Sequence, residues 1–214
     1  MSQGVIKMWT EINHKDSKAA GLPPRDISPA PVEEFEVRLV IWKTKDIEMM
    51  DWEGTSDVFI RAFFDSDDDK LTDTHWRCSN GTGSFNYRLK FKLNSQPRVA
   101  EPTYNLTIQA WDKDIVASND LIGSCDLDIT PLFNDVLLTG RTMSMSSKYF
   151  EEYMKGQLLD AGNPIGDEID FEDEERFWLP TRRLLQEEDR HVSAGEILCS
   201  LTILPKAMAD KYPQ

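Results

Sequence analysis

The fold of this chain is decided by the stretch Trp111-Asp112-Lys113-Asp114-Ile115-Val116-Ala117-Ser118-Asn119-Asp120, which places three carboxylates in a short loop between two apolar runs. Apolar and polar residues alternate over 104–110, and the pattern over 121–129 is typical of another strand, so the loop joins two strand ends. Carboxylates gathered this closely repel one another and need a cation. Because the loop contains neither His nor Cys, a hard divalent ion that takes about six to eight oxygens fits it better than a soft metal.

A second acidic turn lies earlier in the chain, within Lys45-Asp46-Ile47-Glu48-Met49-Met50-Asp51-Trp52-Glu53-Gly54-Thr55-Ser56-Asp57-Val58-Phe59-Ile60. Asp51 and Asp57 bracket a turn that contains Gly54. Apolar residues alternate over 37–41 before this turn and over 58–62 after it. The turn is therefore also predicted to lie at the end of a sheet.

These two loops together resemble a known family. Gly54-Thr55-Ser56-Asp57, followed later by Trp111-Asp112-Lys113-Asp114 and Asp120-Leu121-Ile122-Gly123, is similar to the two calcium-binding loops of a C2 domain. Other segments resemble the last, membrane-proximal C2 domains of ferlins, among them Val40-Ile41-Trp42-Lys43-Thr44-Lys45-Asp46 and Phe177-Trp178-Leu179-Pro180. The resemblance covers most of residues 4–204, apart from about 131–175. The sequence departs from ferlins in having neither a tandem array of C2 domains nor a transmembrane segment.

The resemblance implies a calcium site and a membrane function. The implied ligands of Ca²⁺ are five aspartates that project from two loops into one cup: Asp51, Asp57, Asp112, Asp114 and Asp120. Bound Ca²⁺ would offset their charge and leave coordination positions for lipid oxygens. The implied function is calcium-dependent binding to anionic phospholipid membranes, in trafficking or fusion. Ala117 stands where such loops often carry a further side-chain oxygen, which Ser118 could replace.

Apolar side chains are expected at the tips of the same loops. Trp52 follows Asp51 directly, and Ile115-Val116 lies between Asp114 and Asp120. Their insertion into the headgroup boundary would contribute a few kcal/mol at about 25 cal/mol per Å² of apolar area. The other interpretation is that Trp52 folds back onto its own domain, because Trp is often largely buried.

The pattern of the whole chain predicts an all-β fold, an antiparallel eight-stranded C2-type β-sandwich with a short helical and acidic insertion. The predicted domain spans 35–205, with the insertion at about 131–175. Residues 1–34 are predicted as an N-terminal strand over 4–12 and a Pro-rich lead-in, and 206–214 as a C-terminal tail. The predicted strands of the domain are 35–43, 57–64, 73–78, 85–92, 104–111, 121–129, 176–181 and 196–204.

Three polar or amphipathic segments fall outside the predicted strands. Residues 147–155 suit a short amphipathic helix. The acidic run over 167–175 is interpreted as a mobile solvated loop in preference to a docking segment for a basic partner. The acidic residues over 65–69 are interpreted as a solvated hairpin turn at the opposite end of the sandwich.

Charge and cysteine content exclude several function classes. With 24 basic and 38 acidic residues the net charge is −14, which argues against nucleic acid and against constitutive binding to anionic lipid. The odd set Cys78, Cys125 and Cys199 has no metal-like spacing and predicts reduced thiols in a core. Without a signal-peptide pattern or an apolar run of membrane-span length, the expected location is cytoplasmic and peripheral to membranes.

The sequence also argues against catalysis and leaves a second function open. None of the three histidines lies beside a Ser or Cys nucleophile in sequence, and no zinc or phosphate-cradling motif is present, so an enzyme is not expected. The alternative to membrane binding is a structural subunit of a larger assembly that contacts protein partners through 1–34 and 131–175. Fold alone does not distinguish these two functions.

Overall fold

The computed structural model describes residues 8, 10, 12–16, 28–49, 54–114, 118–154, 169–185 and 190–213. The chain divides into two compact units, Met1–Pro31 and Val32–Gln214. In the first unit the described residues include a turn at Lys15 and Asp16. The strand predicted over 4–12 lies largely outside the described residues.

The second unit is built mainly from antiparallel strands, because its sequence alternates apolar and polar residues over long segments. The strands are β1 (Glu34–Lys45), β2 (Ser56–Phe63), β3 (Lys70–Leu71), β4 (His75–Cys78), β5 (Ser84–Asn94), β6 (Asn105–Asp112), β7 (Asp120–Asp128), β8 (Met143–Ser144), β9 (Asp170–Phe171), β10 (Phe177–Leu185) and β11 (Arg190–Pro205). The helices of the described residues are α1 (Thr130–Thr139), α2 (Ser147–Tyr149), which continues as a π-helical turn over Phe150–Met154, and α3 (Lys206–Lys211), together with a 3₁₀ turn over Ser66–Asp68.

The main path of the sheet runs β3-β2-β6-β7-β10-β11-β1-β5. Strands β7 and β10 are joined through the pair Ser124 and Arg182, whereas the pairings on either side of this junction are long. The path therefore divides into two four-stranded halves, β3-β2-β6-β7 and β10-β11-β1-β5. The inward side chains of both halves share one buried cluster, which confirms the predicted antiparallel eight-stranded β-sandwich.

The insertion contributes to this core. Phe133 of α1 is fully buried, with its ring centroid 4.9 Å from that of Phe35 and 4.1 Å from that of Tyr104. The helix ends at Gly140, which adopts a left-handed conformation with φ 65°. The sequence pattern predicts no helix over these residues, so α1 is an element that the sequence analysis missed.

The polar segments are more ordered than their composition predicts. Part of the acidic run forms β9, which pairs with β10, and Glu172 contacts the ammonium of Lys43 at 3.2 Å. Hydrogen bonds from the backbone and side chain of Arg176 lower the pKa of the Asp173 carboxyl. The run is thus a structured turn over residues 169–175, whereas its first two residues lie outside the described residues.

Other predicted segments differ in detail. In the predicted helix 147–155, residues 147–154 form α2 and a π-helical turn rather than one regular helix, and residue 155 lies outside the described residues. The segment after Pro205, predicted as a tail, begins with α3. The acidic turn over 65–69 is polar and mostly exposed, as predicted. The side chain of Asp65 accepts a hydrogen bond from the amide of Asp67 at 3.2 Å. The three cysteines are free and buried, as predicted.

Candidate functional site

The strand register brings three of the predicted aspartates to one edge of the sheet. Val58 of β2 pairs with Asp112 of β6, and Asp112 pairs with Asp120 of β7. Asp57 immediately precedes Val58 in β2. The end of β6 and the starts of β2 and β7 therefore meet at the level of the carboxylates.

Asp112 lies at the base of this edge, with 4% of its surface exposed. Its Oδ1 accepts a hydrogen bond from the backbone amide of Asp57 at 2.7 Å, and the amide of Lys113 donates to the carbonyl of Asp57 at 2.9 Å. A buried carboxylate is costly unless hydrogen bonds compensate it. These bonds fix the end of β6 against the start of β2.

Asp57 is fixed by a bulge in the neighbouring strand β4. Ser56 pairs with Cys78 and Val58 with His75, so two residues of β4 face one residue of β2. Arg77 in this bulge has φ 55°, and its amide donates to Oδ1 of Asp57 at 2.7 Å. The bulge thus aims a backbone donor at the carboxylate, which holds the side chain in place.

Two further predicted site residues, Asp114 and Asp120, are more accessible than Asp112. Asp114 is partly exposed, and its amide donates to the side-chain oxygen of Asn119 at 3.2 Å, while Asp120 is exposed. Asp51, Trp52, Ile115 and Val116 lie outside the described residues. Within the described ranges, no three His, Cys, Asp or Glu side chains are grouped closely enough to hold a metal ion.

The described side chains at this site carry the type of ligand atom that a hard cation prefers. These atoms are the carboxylate oxygens of Asp57 and Asp112, and Ca²⁺ prefers oxygen ligands. Burial also raises the pKa of the neighbouring Cys78 thiol, and the charge of Asp112 adds to this rise.

Comparison with known proteins identifies the family. The model of the C2 domain family matches residues 35–143. The chain belongs to the C2 domain family. The chain is 26% identical to human myoferlin over an alignment of 242 positions, which covers 100% of this chain and 11% of myoferlin. It is 30% identical to mouse Fer-1-like protein 4 over 152 residues, covering 59% of this chain and 8% of that protein.

The predicted resemblance to ferlin C2 domains is thus confirmed, and the chain spans about a tenth of the length of these curated relatives. Among solved structures, a C2 domain of plant extended synaptotagmin 1 is similar, with 15% identity, a TM-score of 0.46, and coverage of 83% of this chain and 97% of that domain. In the part of this C2 domain that the structure describes, no helix is long and apolar enough to cross a membrane.

The loop between β1 and β2, which carries Asp51, is supported at its start by residues that the sequence pattern did not identify as functional. The amide of Ile47 donates to the carbonyl of Gly81 at 3.2 Å, and Ile47 is buried. A Cβ on Gly81 would lie 2.6 Å from the nitrogen of Ile47, and a Cβ on Gly195 would lie 2.7 Å from the Cα of Ile47. The two glycines therefore enclose the chain where it leaves β1 for the loop that carries Asp51.

Thr44 completes this support. Its hydroxyl accepts a hydrogen bond from the amide of Gly83 at 2.8 Å, and the amide of Thr44 donates to the carbonyl of Gly83 at 2.9 Å. From the sequence alone, Gly81-Thr82-Gly83 is interpreted simply as a hairpin turn. Two glycines close together are the available signal, but the element that they contact is distant in sequence.

Proposed function

We propose that this C2 domain binds anionic phospholipid membranes in a calcium-dependent manner. The observation that supports the proposal most directly is the register of β2, β6 and β7, which places Asp57, Asp112 and Asp120 at the same end of three neighbouring strands. Asp51 and Asp114, from the two flanking loops, would complete the set of ligands. The buried carboxylate of Asp112 would form the floor of the site.

The residues of the chain have distinct roles in this proposal. Asp57 and Asp112 are positioned before any ion arrives, because backbone amides already hold one oxygen of each. Asp114 and Asp120 are more exposed and would close on the ion from the outer side. Bound Ca²⁺ would supply the positive charge and open coordination positions that lipid phosphate or carboxylate oxygens fill.

The net charge of the chain explains why this binding would depend on calcium. A charge of −14 disfavours approach to an anionic surface while the carboxylates are uncompensated. Trp52, Ile115 and Val116 are proposed to enter the headgroup boundary once this repulsion is removed. Such a module would act at the cytoplasmic face of membranes, in trafficking or fusion of the ferlin type.

The test measures ion and membrane binding on the same samples. Calorimetric titration with Ca²⁺ and co-sedimentation with phosphatidylserine-containing vesicles are run on the native protein and on the Asp112→Asn, Asp114→Asn double variant. The matched control is Asp67→Asn, Asp68→Asn, which removes two carboxylates from the turn beyond the other end of β2. We expect calcium uptake and calcium-dependent sedimentation in the native protein and the control, and neither in the double variant.

One result would overturn the proposal. If the native protein takes up no calcium at millimolar concentration and sediments equally in calcium and in chelator, the aspartates form turns without binding an ion. The scaffold function would then be preferred, and recovery of stoichiometric protein partners in chelator would support it.

A further inference from the structure

We infer that Arg183 is a positioning residue for the loop between β1 and β2, and that its ion pair with Glu48 raises the Ca²⁺ affinity of the candidate site. Glu48 lies shortly before Asp51 in this loop, whereas Arg183 lies on β10, 135 residues after Glu48 in the chain. The statement about affinity rests on the proposed function, but the statement about the loop does not.

The contact between the two side chains is a charge-assisted hydrogen bond. Nη2 of Arg183 donates to Oε1 of Glu48 at 2.8 Å, a distance typical of such bonds. The side chain of Arg183 is 25% exposed and that of Glu48 is 42% exposed, so the pair is only partly shielded from water. Because β11 lies between β1 and β10 in the sheet, the bond ties the loop to a strand that is not a neighbour of β1.

The same two strands also support the start of the loop through the backbone. A Cβ on Gly195 of β11 would lie 2.7 Å from the carbonyl oxygen of Asp46, so the two backbones are in close contact. The buried hydroxyl of Thr181 of β10 donates to the carbonyl of Gly195 at 2.9 Å. The paired strands β10 and β11 therefore form a rigid wall against which the loop begins.

Backbone support ends before the acidic part of the loop. The amide of Ile47 is bonded to the carbonyl of Gly81, but in the part of the chain that the structure describes no backbone hydrogen bond holds Glu48 or Met49. The side chain of Glu48 is held by Arg183 instead. The guanidinium thus extends the support of the loop beyond Ile47, toward Asp51.

The physical effect of such a pair is local. A partly exposed ion pair contributes little to the stability of a whole domain, because water screens the charges and two long side chains must be ordered. A loop that is already held near its binding conformation loses less conformational entropy when it takes up a ligand. The pair is therefore expected to act on ion binding and on opening of the loop, while global stability changes little.

The experiment removes the pair without changing the net charge. The neutral variant carries Arg183→Gln and Glu48→Gln, and the swapped variant carries Arg183→Glu and Glu48→Arg. The matched control is Arg61→Gln with Asp69→Asn, which removes a pair of similar exposure, 27% and 37%, near the other end of β2. Each protein is studied by calorimetric titration with Ca²⁺, by amide hydrogen exchange in chelator and by urea denaturation in chelator.

The expected results separate a positioning role from a structural one. The neutral variant should bind Ca²⁺ about three- to tenfold more weakly than the native protein, and the swapped variant should regain most of this loss. Exchange of the Ile47 amide should be faster in the neutral variant only, because this amide reports opening at the start of the loop. The urea midpoint should fall no further in the neutral variant than in the control.

The outcomes distinguish this inference from the proposed function. If the native protein and the neutral variant bind Ca²⁺ equally tightly, the inference is wrong although the calcium function stands. If no protein binds Ca²⁺ but exchange at Ile47 is faster only in the neutral variant, Arg183 positions the loop and the calcium function fails. If the swapped variant regains nothing, or the neutral variant loses much more stability than the control, Arg183 has no positioning role.

Discussion

Gly81, which packs against the start of the loop between β1 and β2, provides a sharp test of how this C2 domain supports its candidate site. Gly81 has φ 70°, and a Cβ there would lie 2.6 Å from the nitrogen and 2.7 Å from the oxygen of Ile47. Gly140, at the end of α1, has φ 65° and open space around the position of a Cβ. Substituting each glycine by alanine imposes the same backbone strain, but only Gly81→Ala also forces two chain segments apart.

The expected magnitudes follow from these contacts. A left-handed alanine costs about 1–2 kcal/mol, and Gly140→Ala should lose no more than this from its free energy of unfolding. In Gly81→Ala the methyl group is about 0.8 Å closer to Ile47 than the 3.4 Å at which ordinary contact begins. Moving Ile47 away weakens its hydrogen bond to Gly81, worth about 1 kcal/mol, and disturbs a buried side chain at a cost of about 1–2 kcal/mol. The total expected loss is about 3–5 kcal/mol.

Urea denaturation of the native protein and the two variants measures these losses, provided that the transitions share one slope. Calcium titration of the folded variants should show weaker binding in Gly81→Ala and unchanged binding in Gly140→Ala, because only the former displaces the loop that carries Asp51. Equal destabilisation by the two substitutions would refute the claim that Gly81 encloses the loop base.

Three further predictions follow from described contacts. Thr44→Val should lower the free energy of unfolding by about 1–3 kcal/mol, because the amide of Gly83 loses its buried acceptor. The control is Thr107→Val, whose hydroxyl is solvent-accessible, and urea denaturation should show a smaller loss of stability in this variant. Asp112→Asn should stabilise the calcium-free protein by up to about 1 kcal/mol, since it removes a like charge directly opposite Asp120; a thermal melt in chelator that shows destabilisation would contradict this. All three thiols should react with a thiol reagent only upon unfolding, because they are buried and burial raises the pKa of Cys199, so rapid labelling of the native protein would contradict the packing.

Much of the fold could be predicted because strand formation is written locally in the sequence. The predicted strand 104–111 corresponds to Asn105–Asp112, and 121–129 to Asp120–Asp128, since alternation of apolar and polar residues marks a strand wherever one face is buried. The helix α1 was not predicted, because Pro131 indicates a break in most contexts, although proline is accepted in the first turn of a helix.

The sequence by itself determined which residues could form the site and in which loops they lie. Two acidic loops between alternating apolar segments are a local property, and so is the resemblance to ferlin C2 domains. Only the tertiary structure decided that Asp112 is buried, that a bulge in β4 fixes Asp57, and that Gly81 and Gly195 enclose Ile47. These features depend on the register between strands that are far apart in the chain, and register is set by the packing of whole faces, which no short stretch of sequence encodes.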